Sequence, residues 1–192
     1  MSRWAFVRHG QSVANRDGWL AGHIDAPLSP LGVHQARVLH RSMQTLPISR
    51  VITSDLSRAF RTTELAYGTS KHPIAVHRLL RERYLGDWEY KKRCWATQPP
   101  RRHHLMSWDI GPPRGESRRD VALRVLGFLE KLEPSPMTLL VAHGTLLSSI
   151  IGLLDGTPVD QMGWASVPNA TLIHRKVPDG TWGDLLASLS NL

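Results

Sequence analysis

Two apolar runs of this sequence each end directly in a histidine-glycine pair, and this repeated feature constrains the fold more than any other. Residues 4–7 lead into Arg8-His9-Gly10, and residues 137–142 lead into His143-Gly144. A short apolar run that stops at a glycine turn is typical of a buried strand. Because ligands of open α/β sheets bind where such strands end, both histidines are predicted to share one site at one edge of a sheet.

The chain between these runs alternates strands and helices, as a parallel sheet requires. Further strands are predicted at residues 50–53 and 74–76. Helices are predicted after Ser29-Pro30, which combines an N-cap with proline at the first helical position, and after Ser54-Asp55. This order predicts an α/β fold: a three-layer α/β/α sandwich with a mostly parallel central sheet and helices on both faces.

The C-terminal half completes the predicted sandwich. Ser117 and Asp120 form a capping box that opens an amphipathic helix, and another helix is predicted at residues 146–154. Two last strands are predicted at residues 170–176 and 181–187. The Pro-Asp-Gly turn between them predicts a hairpin at the edge of the sheet.

Two segments do not fit the alternation. Residues 11–27 are polar and glycine-bearing, and a loop of that length in a compact domain is usually functional. Residues 86–115, with their tryptophans and prolines, are predicted to form an irregular, lid-like insertion with a short helix near residues 105–108. The basic residues in and after this insertion predict a solvated surface or, alternatively, selection of an acidic substrate. They are Lys91, Lys92, Arg93, Arg101, Arg102, Arg114, Arg118 and Arg119.

Composition narrows the class of protein. The length of 192 residues favours a single domain over residues 1–192. A net charge of +8 attracts anions in general, so nucleic acid, acidic membrane and phosphorylated metabolites all remain possible partners. Cys94 is the only cysteine, which excludes an internal disulfide and a cysteine metal cluster. The sequence has neither a signal-peptide pattern nor an apolar run long enough to span a bilayer, and a cytoplasmic location is expected.

The residue types at the two strand ends suit phosphoryl transfer. A phosphoryl group presents several negative oxygens, and its transfer depends mostly on positioning and charge stabilisation. Arg8 and Arg58 supply guanidinium forks that match these oxygens, and a neutral imidazole can attack phosphorus. Glu82, beyond the third strand, is the candidate acid for protonating the leaving oxygen.

Motifs spread from about residue 4 to residue 155 resemble one family. They are Arg8-His9-Gly10; Asn15; Gly22, Asp25, Leu28, Ser29 and Gly32; residues 54–62 with Arg58; Arg81, Glu82, Gly86, Trp88 and Glu89; Gly115-Glu116-Ser117; and His143 in Val-Ala-His-Gly. In order and spacing they resemble the histidine phosphatase superfamily, in the branch similar to cofactor-dependent phosphoglycerate mutase and fructose-2,6-bisphosphatase. The chain departs from the family at Tyr90, where a glycine is usual, and at Thr145, where many relatives have glycine or asparagine.

The resemblance implies a role for each matched residue. His9 corresponds to the phosphoryl acceptor and Glu82 to the proton donor, while Arg8, Arg58 and His143 correspond to the groups that bind the phosphoryl oxygens of the substrate. The further substrate contacts that it implies are Asn15, Ala21, Gly22 and Gly144. The resemblance implies no metal and no cofactor. The partner that it implies is a small phosphorylated metabolite, with no nucleic acid and no membrane.

The sequence is compatible with three functions: a phosphomonoesterase, a mutase that returns the phosphoryl group to another hydroxyl, and a non-enzymatic basic binding protein on the same fold. By the family resemblance, mutases carry a longer insertion after Glu82 and a longer tail, so the shorter segments here favour the phosphatase. The complete set of expected catalytic residues argues against the binding protein, and no nucleic-acid motif is present. The sequence leaves the substrate and the oligomeric state open.

Overall fold

The molecule is built around one β-sheet. The computed structural model describes residues 1–68, 72–164 and 166–191, and within them five strands form a single sheet. The strands are β1 (Ser2–Arg8), β2 (Arg50–Ser54), β3 (Ile74–His77), β4 (Met137–Ala142) and β5 (Leu172–Val177). Their order is β3-β2-β4-β1-β5. The first four strands run parallel, and β5 pairs antiparallel with β1 at the edge.

Helices cover both faces of the sheet, which confirms the predicted three-layer sandwich. Along the described residues they are α1 (Val13–Asp17), α2 (Pro30–Gln44), α3 (Ser57–Tyr67), α4 (Arg93–Ala96), α5 (Arg102–Met106), α6 (Arg118–Leu129), α7 (Gly144–Leu154) and α8 (Thr181–Ser190). Residues of α2 and α3 share a hydrophobic cluster with one face of the sheet. Residues of α6, α7 and α8 pack against the other face.

Strands β1 and β4 are central because their side chains are apolar on both faces. In β1, Phe6 packs toward α6 and α7, and the adjacent Val7 packs toward α2 and α3. Parallel pairing places Phe6 opposite Leu140 and Val7 opposite Val141 in β4. Burying both faces of adjacent parallel strands fixes their register, since a slip by one residue would exchange the two faces. The residues that follow the two strands therefore lie side by side.

The predicted helix starts at Ser29 and Ser117 are confirmed by their caps, whereas α3 begins at Ser57 without the side-chain cap that Ser54-Asp55 predicted. Ser29 Oγ accepts a hydrogen bond from Gly32 N, and Pro30 occupies the first turn of α2. Ser117 and Asp120 form the predicted capping box at the start of α6. These contacts satisfy backbone N–H groups that a helix start leaves without partners.

The predicted strand at residues 181–187 is wrong, because this segment is the helix α8. Gly180, with a φ of 84°, precedes the helix, and β5 ends at Val177 without a hairpin partner on that side. Trp182 and Leu189 are buried against the cluster of α6 and α7. Apolar residues at 182, 185, 186 and 189 follow the helical spacing i, i+3, i+4 and i+7, whereas a strand with one buried face requires alternation.

The two segments outside the alternation are more ordered than the sequence predicts. The polar loop at residues 11–27 contains α1, whose capping box is formed by Ser12 and Asn15. The insertion at residues 86–115 contains α4 and α5, and α5 ends at Met106, earlier than the predicted helix. That residues 1–192 form one domain stays a prediction. No helix in the described part of the chain is long and apolar enough to cross a membrane.

Candidate active site

His9 and His143 lie beside each other at the carboxyl ends of β1 and β4. Their ring centroids are 5.1 Å apart, and both side chains are buried. His9 Nδ1 lies 2.6 Å from the carbonyl oxygen of Gly10. Because a carbonyl oxygen only accepts, this contact places the proton on Nδ1 and leaves a lone pair on Nε2. Strand pairing thus supplies one imidazole whose Nε2 can act as a nucleophile.

Burial and nearby cations keep both histidines neutral. Desolvation lowers the pKa of His9 well below its ordinary value, and the guanidinium groups of Arg58 and Arg8 lower it further. The pKa of His143 is lowered well below its ordinary value by the same two causes, with His9 as an additional cation when protonated. A neutral imidazole is the form that can attack phosphorus.

These lowered pKa values predict a loss of stability in mild acid. In the unfolded chain both histidines take up protons below a pH of about 6.5, while the folded chain resists protonation, so unfolding is favoured as the pH falls. Each histidine is expected to remove up to about 1.4 kcal/mol of unfolding free energy per pH unit in this range. Urea denaturation at several pH values between about 7.5 and 5 measures this slope.

The matched variants for this prediction are His143→Gln and His34→Gln. His34→Gln is the control for the loss of a histidine, because His34 is exposed on α2 and does not line the cavity. Replacement of His143 is expected to make the slope shallower. An unchanged slope in His143→Gln would show that His143 is protonated equally in the folded and unfolded chains.

Two arginines border the histidine pair. Arg58, on the first turn of α3, is buried, and its two terminal nitrogens donate to the carbonyl oxygens of Gly22 and Ile24 at 2.8 Å each. Arg8 donates to the carbonyl oxygen of Val167. Its buried Nε has no hydrogen-bond partner among the described residues. An unsatisfied buried donor beside a neutral imidazole can bind an anionic oxygen.

Gly144 allows Arg8 to lie close to the start of α7. A Cβ atom at position 144 would lie 3.1 Å from Arg8 Cζ. This separation is tighter than ordinary van der Waals contact, so a side chain here would push the guanidinium away. The glycine that follows His143 thus contributes space for the arginine.

Glu82 faces the same cavity and is oriented by two backbone N–H groups. Its Oε1 accepts from Arg83 N at 2.9 Å, and its Oε2 accepts from Thr145 N at 3.2 Å. Thr145 departs from the family pattern, but the contact uses its backbone nitrogen, which any residue other than proline supplies. The carboxyl group therefore has a fixed position at the N-terminal turn of α7.

Helix α1 and the loop after it contribute to the wall of the cavity. Asn15, Ala21 and Gly22 all line it. Gly22 has a φ of 51°, and a Cβ atom there would collide with Glu89 Oε1, so this position requires glycine. Glu89 Oε1 in turn accepts from His23 N at 2.7 Å and holds the loop.

The cavity between these groups has a volume of about 230 Å³. It brings together His9, Arg8, Arg58, Glu82, Asn15, Ala21, Gly22 and Gly144. His143 lies behind His9, fully buried, and neither of its ring nitrogens has a hydrogen-bond partner in the part of the chain that the structure describes. Every residue that the motifs singled out for a site is therefore found at one sheet edge.

The match to a family model decides the relationship. Residues 4–186 match the model of the histidine phosphatase superfamily, branch 1. The chain belongs to this superfamily.

The relatives of this histidine phosphatase include enzymes named as phosphatases and enzymes named as mutases. The adenosylcobalamin/alpha-ribazole phosphatase of Salmonella typhimurium is 31% identical over 189 residues, which cover 95% of this chain and 88% of the relative. A 2,3-bisphosphoglycerate-dependent phosphoglycerate mutase of Methylocella silvestris is 33% identical over 190 residues, covering 91% and 92%. With phosphatases among its relatives, the chain is classed with the phosphoric monoester hydrolases.

Solved structures share the fold closely. A mycobacterial glucosyl-3-phosphoglycerate phosphatase, whose structure was determined in complex with VO3, has a TM-score of 0.83 at 29% identity. The match covers 91% of this chain and 92% of that one. The phosphoglycerate mutase-like α/β architecture is thus shared over nearly the whole length of the histidine phosphatase described here.

The sequence did not predict every residue that lines the cavity. Arg83, Arg93, Arg118 and Ser148 also border it. Arg118 was expected on a solvated surface, but its side chain is buried between α6 and α7 and donates to Ser148 Oγ at 3.2 Å. Arg118 follows the capping Ser117, so the sequence places it in the first turn of α6. The direction of its side chain depends on how α6 packs against α7. The prediction of solvent exposure for Arg118 was therefore wrong.

The tyrosine that replaces a family glycine keeps the backbone conformation of a glycine. Tyr90 has a φ of 66°, in the left-handed region, and its ring stacks on Trp19 at 5.4 Å between centroids.

Among residues 1–68, 72–164 and 166–191, no cluster of three or more histidine, cysteine, aspartate or glutamate residues has the geometry to hold a metal ion.

Proposed function

We propose that this histidine phosphatase hydrolyses small phosphomonoesters through a phosphohistidine on His9, with Glu82 as the proton donor. The observation that carries the proposal is the state of His9, a buried neutral imidazole whose Nδ1 is occupied by the Gly10 carbonyl. Nε2 is then the nucleophilic atom. Arg8 and Arg58 border the position that the phosphoryl group would occupy.

The reaction would proceed in two displacements. In the first, His9 Nε2 forms a bond to phosphorus while the bond from phosphorus to the ester oxygen breaks, and the Glu82 carboxylic acid gives its proton to the leaving oxygen. In the second, the water oxygen attacks phosphorus while the bond from phosphorus to His9 Nε2 breaks, and the Glu82 carboxylate takes a proton from that water. Inorganic phosphate leaves, and both His9 and Glu82 return to their starting states.

The arginines would stabilise the charge that passes through the transition state. Guanidinium groups bind phosphoryl oxygens in a bidentate manner, and their donors act strongly in a site from which water is excluded. The Nε of Arg8, which has no hydrogen-bond partner among the described residues, would donate to a phosphoryl oxygen. The hydrogen bonds from Arg58 to Gly22 and Ile24 hold the Arg58 guanidinium in place. Positioning and charge stabilisation are the main demands of phosphoryl transfer, so this cavity supports the proposed activity.

The second candidate function is that of a mutase, and it is favoured by the similarity of this chain to the phosphoglycerate mutase of Methylocella silvestris. Both reactions share the phosphohistidine and differ in its fate. A phosphatase admits water to the phosphorylated imidazole, whereas a mutase returns the phosphoryl group to another hydroxyl of the same carbon skeleton. The short insertion at residues 86–115 contributes α4 and α5 to the cavity wall and favours access by water.

Phosphate release in the presence of EDTA tests the proposal. We expect this enzyme to release inorganic phosphate from a panel of small phosphomonoesters, with kcat unchanged by EDTA, because Glu82 and two arginines supply the acid and the charge. Isomerisation of a phosphorylated acid without phosphate release would establish the mutase instead. Dependence of kcat on an added divalent cation would contradict the metal-independent mechanism.

A further inference from the structure

The segment that carries Glu82 has no regular secondary structure. Residues 81–85 belong to neither a helix nor a strand, so no helical or sheet pattern pairs their backbone groups. Backbone groups of such a segment need partners from elsewhere in the molecule. The position of the Glu82 carboxyl group therefore depends on what holds the backbone on either side of it.

One ion pair links α6 to the residue that precedes its N-cap. Arg124 Nε and Nη2 donate to the two carboxylate oxygens of Glu116 at 2.8 and 2.9 Å. The two side chains are only 17% and 21% exposed. A bidentate contact between two ionised groups is stronger and more directional than a single neutral hydrogen bond. Arg124 and Glu116 therefore hold each other in one geometry on a helix whose apolar face is buried in the core.

This ion pair contacts the backbone on both sides of the candidate acid. Arg124 Nη1 donates to the carbonyl oxygens of Leu79 at 2.7 Å and of Arg81 at 3.2 Å. Glu116 Oε2 accepts from Tyr84 N at 2.8 Å. The nearest of these contacts lie one residue before the acid and two residues after it. The ion pair thus fixes both ends of the short backbone span that carries the acid.

The other anchors of this segment connect it to different elements. The Arg83 guanidinium donates four hydrogen bonds of 2.6 to 3.1 Å to backbone carbonyl oxygens between residues 104 and 116. The Arg81 guanidinium forms an ion pair with Asp55, which follows β2. Because these contacts keep the segment attached to the fold, loss of the ion pair on α6 is expected to displace the backbone of the acid without unfolding the segment.

Proton donation is sensitive to such a displacement. A general acid acts within hydrogen-bond reach of the leaving oxygen, about 2.6 to 3.2 Å. Misplacement of a reacting group by about 1 Å lowers a rate by about 10²-fold. Glu82 Oε2 accepts from Thr145 N at the start of α7. Helix α7 therefore holds the carboxyl group, while the ion pair on α6 holds the backbone from which that carboxyl group extends.

We propose that Arg124 and Glu116 are positioning residues for Glu82, the proposed proton donor. This inference rests on the proposed phosphatase function and gives two residues outside the cavity a role in one of its steps. Neither side chain lines the cavity, so both act through the backbone of residues 79–84. Their loss weakens proton transfer to the leaving oxygen and spares the attack by His9.

The dependence of the rate on the leaving group tests this role. The value of kcat/KM reports the first displacement, in which the leaving oxygen departs. For Arg124→Met it is expected to fall by about 10 to 10²-fold with the aliphatic ester that the wild type hydrolyses fastest. It is expected to change by less than about threefold with p-nitrophenyl phosphate, whose leaving group departs without a proton.

Two further variants support the same comparison. Glu116→Gln keeps the size of the side chain and removes its charge, and it is expected to change the ratio of the two kcat/KM values in the same direction. Arg124→Lys is expected to recover part of the wild-type ratio, because an ammonium group keeps the charge but cannot reproduce the guanidinium fork. If Arg124→Met does not fold, these two variants give the result.

A double variant separates positioning from a general effect on the fold. Once Glu82→Gln has removed the acid, the addition of Arg124→Met is expected to cause no further loss of kcat/KM with the aliphatic ester. Defects that act independently would multiply instead. The comparison needs only phosphate release by the wild type, the two single variants and the double variant.

The control variant is Arg175→Met. Arg175, on β5, forms an equally bidentate ion pair with Asp155 at 2.8 and 2.7 Å, and it does not line the cavity. Its replacement removes the same charge and the same type of contact as Arg124→Met. Both of its kcat/KM values are expected to equal those of the wild type.

The outcomes separate the positioning role from the function on which it rests. Equal losses for both esters in the variants of the ion pair, or no loss for either ester, would overturn the positioning role and leave the phosphatase intact. A further loss in the double variant as large as that caused by Arg124→Met alone would also overturn it. Failure of the wild type to release phosphate from every ester of the panel would refute the phosphatase function, and this inference with it.

Discussion

Replacement of His9 by alanine is expected to lower kcat for every phosphomonoester by at least about 10⁴-fold, because it removes the atom that forms the bond to phosphorus. No other group in the described cavity can substitute for it. His143 is fully buried behind His9, and its pKa is held low by desolvation and by Arg58. Steady-state phosphate release, measured with the folded state checked by thermal unfolding, gives the loss directly.

His34→Ala is the matched control for this variant. It removes an exposed histidine of α2 that does not line the cavity. Its kcat is expected to equal that of the wild type. If folded His9→Ala retained more than a few per cent of the wild-type rate, water would be attacking phosphorus without His9, and the covalent mechanism would be incorrect.

Replacement of Glu82 by glutamine is expected to lower kcat by about 10² to 10³-fold for esters of aliphatic alcohols, because an amide cannot give a proton to the leaving oxygen. The loss is expected to be much smaller for p-nitrophenyl phosphate, whose leaving group is stable as an anion. Measuring kcat for both esters separates proton donation from a structural contribution. A structural defect would lower the two rates by the same factor.

Glu89→Gln is the control for this second variant. Glu89 accepts a hydrogen bond from His23 N in the loop after α1, but it does not line the cavity. Any loss of rate in Glu89→Gln is expected to be the same for both leaving groups. Equal losses for both esters in Glu82→Gln would assign proton donation to another group.

The parts of the structure that were predictable depend on local signals. Ser29-Pro30 and the capping box at Ser117 mark helix starts through contacts within three residues, and both were confirmed. The central strands were equally predictable, because a run of apolar residues on both faces admits few other environments. Since parallel strands end at one edge, the proximity of His9 to His143, and of Glu82 to the helix that follows His143, agrees with the same local patterns.

The parts that were mispredicted depend on packing between distant elements. Residues 181–187 were assigned to a strand from the Pro-Asp-Gly turn, although the adjacent Leu185 and Leu186 already contradict alternation and suit a helix packed on α6. The solvent exposure of the Arg118 side chain was mispredicted for the same reason. A charged residue in a basic stretch is usually solvated, and only the packing of α6 on α7 directs this guanidinium into the cavity.

The stereochemical course of hydrolysis at phosphorus tests the central claim most directly. A phosphorothioate ester made chiral at phosphorus with ¹⁸O, hydrolysed in water enriched in ¹⁷O, yields a chiral thiophosphate whose configuration reports the number of displacements. Each in-line displacement inverts the configuration, so attack by His9 Nε2 followed by attack by water predicts net retention. Net inversion would mean a single direct attack by water and would contradict a phosphohistidine on His9.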